Sequence, residues 1–176
     1  MNRTLQTKLT QLESETKALF DSIEGLSEEQ LHDQSYGWSV IQVLSHLHVA
    51  EAGTVIYMTK KMQAGDKMPN FKMGGKLRMA LTRTMLRSSL RWKAPKPVSN
   101  PKSDYSLDEM KKQWEKSRQK TVAFVETYPE KYLSKAVFKH PMAGRIDLAS
   151  ALDSISYHQR HHLHQITRIK KAIGSN

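Results

Sequence analysis

Apolar residues recur along this chain at three- and four-residue steps, the spacing that stacks side chains on one face of an α-helix. Leu5, Leu9, Leu12, Leu19 and Ile23 trace a first helix. Ser27-Glu28-Glu29-Gln30 has the form of a capping box and predicts a short helix after it. Ser39-Val40-Ile41-Gln42 is a stronger box, with Trp38 placed to staple against Val43. The helix it opens should continue through Val55 and Met62 and stop near Gly65. A third long helix starts at Ser106-Leu107-Asp108-Glu109 and runs to about Tyr128 through Met110, Trp114, Thr121 and Phe124. Pro141 and Gly144 then mark a turn, and Asp147 is placed to cap the last helix, which reaches about Ile173 before Gly174.

Residues 66–105 break this regularity with Gly74-Gly75 and the prolines Pro69, Pro95, Pro97 and Pro101. Between them the pattern predicts a short basic helix from Lys76 to about Trp92, with Leu77, Leu81, Met85 and Leu90 apolar. No β-hairpin signal and no internal repeat is visible. The expected architecture is all-α, one domain over residues 1–176: an up-down four-helix bundle with a long connection between the second and third helices.

Composition narrows the chemistry. A chain of 176 residues is long enough to bury a substantial core. With no cysteine it holds no disulfide, no zinc ribbon and no thiol nucleophile of its own, so any thiol must come from a ligand. The N-terminal residues lack the apolar core of a secretory signal, and no run approaches the roughly 18 apolar residues of a membrane span. The expected location is the cytoplasm. The net charge of +11 is unevenly placed: residues 67–103 carry ten Lys or Arg and no acid, leaving 18 basic against 17 acidic residues elsewhere.

Four of the eight histidines, His158, His161, His162 and His164, fall inside seven residues of the last helix. At 100° per residue, His158 and His162 interrupt the apolar stripe of Leu148, Ala151, Ile155, Ile166, Ile169 and Ile173, while His161 points to one side and His164 nearly opposite. Two inward imidazoles four residues apart can aim at one point, which suits a first-row metal ion. A lone inward histidine is more often a hydrogen-bonded core residue, but two need separate polar partners unless one ion serves both. His46, His48 and His140 are candidates for a third ligand. His46 shares a face with Ala50, Gly53 and Tyr57, where small side chains leave room beside an imidazole; His48 lies on a packing face with Ala52, Val55 and Thr59.

The combination Trp38-Ser39, His46-Leu47, Glu51, His140-Pro141 with Gly144, and His158-x3-His162-Leu163-x-Gln165-Ile166 resembles the DinB-like (YfiT-like) superfamily of bacterial four-helix-bundle metalloproteins over nearly the whole chain. The resemblance implies one divalent ion (zinc, nickel, iron or manganese) held by three histidines, which by position are His46, His158 and His162. It also implies that homodimers are common. Some members are thiol-dependent S-transferases or isomerases using bacillithiol, mycothiol or glutathione, and others carry a hydrolase label.

Three protein ligands leave positions open for water and substrate, as in catalytic rather than structural sites. By resemblance to the thiol-dependent members, the expected function is metal-dependent transfer of an external low-molecular-weight thiol to a small electrophile. The alternatives are a hydrolase using metal-bound hydroxide, and a non-catalytic metal-binding stress or interaction protein. Glu51 projects about 140° from His46 around the helix, which suits packing or support of a ligand better than ligation. His140 and Tyr57 are candidate substrate contacts, each with an ordinary structural explanation as a turn and a core residue. A nucleic-acid partner would use the basic segment, where Arg83, Arg87 and Arg91 form a row beside Trp92. Aromatic and basic residues are not interleaved there, which argues against that partner; the same segment can instead cover a site and attract an anionic substrate.

Overall fold

The start signals in the sequence become hydrogen-bonded caps. In the computed structural model, which describes residues 2–87 and 99–174, Ser27, Ser39 and Ser106 each complete a reciprocal capping box. They open α2 (Glu28–His32), α3 (Val40–Met62) and α5 (Leu107–Glu126). Asp147 accepts from the Ser150 amide at 2.8 Å and opens α6 (Leu148–Ala172). Asn2 caps α1 (Arg3–Asp21), and Ile23 is buried in the turn that follows rather than in the helix itself. Between α3 and α5 lie residues 63–106, including α4 (Met73–Arg87), which packs on α6. Beyond Arg87, the remainder of the expected basic helix is outside the described residues. So are the side chains of Arg83 and Arg87, and Arg91 and Trp92 altogether.

A hairpin absent from the sequence expectation precedes α6. Strands β1 (Phe138–His140) and β2 (Gly144–Ile146) pair antiparallel, with Phe138 opposite Ile146 and His140 opposite Gly144. Strands of three residues are too short to display alternation. The turn is closed instead by a side chain, His140 Nδ1 accepting from the amides of Met142 and Ala143 at 3.2 and 3.1 Å. Gly144 has φ +73, the left-handed region that favours glycine. At Gly75 the need is spatial, because a Cβ there would sit 2.3 Å from the Phe71 ring and 3.2 Å from the Arg145 carbonyl oxygen.

Cross-helix contacts give the directions of the bundle. Lys8 meets Asp153, Thr16 meets Gln159, and Lys170 reaches the Ser22 carbonyl, so α1 and α6 run parallel. His48 lies beside Trp114 and Glu51 beside Arg118 and Thr121, so α3 and α5 also run parallel. Contacts of α3 with α6 and of α1 with α5 are antiparallel. In chain order the four long helices of this bundle point up, down, down, up.

The interior is divided accordingly. One apolar cluster joins the start of α1 (Leu5, Leu9, Leu12), the end of α3 (Val55, Met58), the end of α5 (Phe124, Val125) and the start of α6. A second joins the opposite ends through Leu19, Leu44, Leu47, Met110, Trp114 and Ile166. Between the clusters lie buried Glu51, Thr121, Gln159, His46 and His162. Among the described residues, no helix is long and apolar enough to cross a membrane.

Candidate metal centre

Helix periodicity sets up the site and antiparallel packing completes it. On α6 the four-residue spacing stacks His158 and His162, bringing their Nε2 atoms to 3.1 Å. From α3, His46 places its own Nε2 3.1 Å from that of His158. The three nitrogens lie within 4.8 Å of one another. Nitrogens about 2.0–2.1 Å from a tetrahedral zinc ion are about 3.3 Å apart, close to the separation of the two pairs that share His158. The alternatives drop away: His48 faces α5, bonded to the Gln113 backbone and 6.2 Å from the Trp114 ring. His164 is exposed, and His161 is half-buried with its ring edge toward His162.

Burial favours the uncharged form of His158 and His162. Desolvation is the first cause lowering the His162 pKa to about 3, followed by the neighbouring charge of His46. His158 retains some solvent contact, yet its ring is enclosed densely enough that desolvation leads, and His162 and His46 follow, in holding its pKa well below the ordinary value. Neutral imidazole is the form that binds metal.

Neighbouring groups fix orientation. His162 Nδ1 bonds Gln165 Oε1 at 2.7 Å; an amide oxygen only accepts, so Nδ1 carries the proton and Nε2 keeps its lone pair for a ligand. Trp38 packs beside His46 with ring centroids 5.1 Å apart, so it covers this imidazole. Neither role was assigned from the sequence, although Gln165 lies three residues after His162, on the same helix face.

Glu51 is not a candidate ligand. Its carboxylate accepts from Arg118 Nε and Nη2, both at 3.0 Å, from Thr121 Oγ1 at 3.1 Å and from Gln159 Nε2 at 3.3 Å. Four bonds fill its acceptor sites. His140 sits on the hairpin that packs against α3 and α6, and burial lowers its pKa. Tyr57 is 41% exposed, so it is not the core residue of the ordinary reading; its ring stacks edge-on against Phe138 at 5.4 Å, and Phe138 in turn meets His140.

The chain is 26% identical over 173 residues, 97% of its length and 87% of theirs, to proteins named "putative metal-dependent hydrolase" in Bacillus cereus (strain 03BB102) and Bacillus thuringiensis subsp. konkukian (strain 97-27). Its fold matches YfiT from Bacillus subtilis, described as a probable metal-dependent hydrolase with an unusual four-helix bundle topology. That match has a TM-score of 0.57 and 19% identity, covering 100% of this chain and 91% of the other. The model of the DinB superfamily matches residues 11–166, and the chain belongs to that superfamily.

Proposed function

We propose that His46, His158 and His162 hold one divalent ion, and that the protein uses it to activate an external low-molecular-weight thiol for transfer to a small electrophile. The convergence of three imidazoles, with ligand nitrogens within 4.8 Å of one another, carries the reading. A divalent ion at that point would supply Lewis acidity and lower the pKa of a nucleophile at its open positions. The chain's own part is to hold three lone pairs in register, with Gln165 fixing the tautomer of His162 and Trp38 shielding His46.

The choice of nucleophile rests on the surroundings. Hydrolytic sites often add a carboxylate as general base, but Glu51 in this layer has its acceptor sites filled by Arg118, Thr121 and Gln159. A thiol, whose ordinary pKa is about 8.5, needs less help to ionise than water. His140 suits the electrophile's side of the reaction: its Nδ1 is occupied by two backbone amides, leaving Nε2–H as a hydrogen-bond donor rather than a base. Tyr57, exposed beside Phe138, would line the approach to it. Hydrolysis of a small molecule is the second reading, favoured by the names of the Bacillus relatives. A homodimer belongs to the proposal on family grounds, and light scattering tests it.

Untagged protein purified without nickel resin should carry about one divalent ion per chain, and His46→Ala and His162→Ala should carry none. Turnover of a thiol with a chlorinated arene or epoxide, above the metal-free control, would establish transfer; turnover of esters or amides without thiol would establish hydrolysis instead. A chain that takes up no zinc, nickel, iron or manganese sinks the enzyme reading.

A further inference from the structure

Each long helix breaks its apolar stripe near the middle, and the breaks meet. Thr16 falls between Leu12 and Leu19, Glu51 between Leu47 and Val55, Arg118 and Thr121 between Trp114 and Phe124, and Gln159 between Ile155 and Ile166. Arg118 grips Glu51 through two bonds of 3.0 Å and gives a further one of 2.9 Å to Thr16 Oγ1. Thr16 in turn meets Gln159 Oε1 at 3.1 Å, and Gln159 Nε2 returns to Glu51 at 3.3 Å. The ring joins all four long helices, and Glu51 is only 2% exposed.

A buried ion pair is a poor source of net stability, because removing both charges from water offsets most of their attraction. Its directional bonds are better suited to fixing register, which apolar packing tolerates less strictly. Register is what the histidine site requires. His46 arrives on α3 while His158 and His162 arrive on α6, and a slip of one helix along the other separates the nitrogens. The bond from Gln159 to Glu51 joins those same two helices, one residue from His158 and five from His46.

We propose that Glu51, Arg118 and Gln159 are positioning residues that set the register of α3 against α6, and so the fit of the three-histidine site to its ion. This rests on the metal-site reading above.

The test uses cobalt(II) as probe, reading its affinity by chelator competition and its visible d–d spectrum, alongside thermal unfolding. Wild-type protein is measured first; failure to bind cobalt would overturn the metal site and this proposal together. In Gln159→Leu, which cuts the α3–α6 link, cobalt should bind about tenfold or more weakly with an altered spectrum, as loss of support behind ligands does elsewhere. Thr121→Val removes a bond to Glu51 from α5 instead, and should leave cobalt affinity and spectrum as in wild type. Glu51→Leu combined with Arg118→Met removes both charges; it should fold with a near-native Tm and show the same weakened binding. If the double variant does not fold, Gln159→Leu decides alone. Wild-type affinity and spectrum in a folded Gln159→Leu overturn the positioning role, as does an equal loss in Thr121→Val.

Discussion

The tautomer of His162 is decided by one neighbour. Gln165 Oε1, 2.7 Å from Nδ1, cannot donate, so the ring must, and the opposite nitrogen keeps its lone pair. Gln165→Leu should keep the fold and weaken zinc binding about ten- to a hundredfold, measured by chelator competition. A second residue contributes to stability on the alkaline side. Tyr128, in the apolar cluster, donates to the Tyr132 carbonyl at 3.1 Å, and its pKa is pushed up to about 12 by burial first, then by Asp147 and Tyr132. A folded-state pKa above the unfolded value of 10.0 means the unfolded chain loses this proton first. The stability is therefore complete below pH 10 and lost as pH rises toward 12. Urea unfolding of Tyr128→Phe should lack that part of the alkaline decline shown by wild type.

At the scale of elements, ends matter more than middles. Ser39 is fully buried, and its hydroxyl accepts from the Gln42 amide while Gln42 returns to the Ser39 amide. Ser39→Ala should cost about 1–2 kcal/mol in urea unfolding, the upper part of the usual range because the freed groups have no water to turn to. The β1–β2 hairpin depends on its turn in the same way. Gly144→Ala places a side chain at φ +73 and should cost roughly 1–2 kcal/mol by the same measurement. These start signals were legible because a serine or aspartate before an apolar period has one dominant use. The hairpin was not, because an imidazole accepting two amides leaves no periodic trace.

For the whole molecule, the order up, down, down, up brings α3 and α6 together antiparallel and places the histidines in the polar layer between two apolar clusters. If an ion binds the folded chain alone, zinc at a hundred times its Kd adds about 2.7 kcal/mol. For a protein of this size that raises Tm by about 5–10 °C. Calorimetry should show the rise in wild type and its absence in His162→Ala.

The sequence by itself determined where the long helices begin and end, which faces are apolar, and that His158 and His162 share one inward face. These are local properties, set by caps and by a 3.6-residue period. The placing of His46 rather than His48 beside His158 was only partly local: the helix face leaned that way, family resemblance sharpened it, and the packing of α3 between α5 and α6 turns His46 toward α6 and His48 toward α5. Glu51 was placed behind the ligands by its angle on the helix, but its ion pair depended on Arg118, which α5 brings from 67 residues away. The polar break in each stripe was present in the sequence, yet helix phase says only that a residue faces inward. Which inward residues meet is set by how far each helix slides and turns against its neighbours, and that is a property of the assembled bundle.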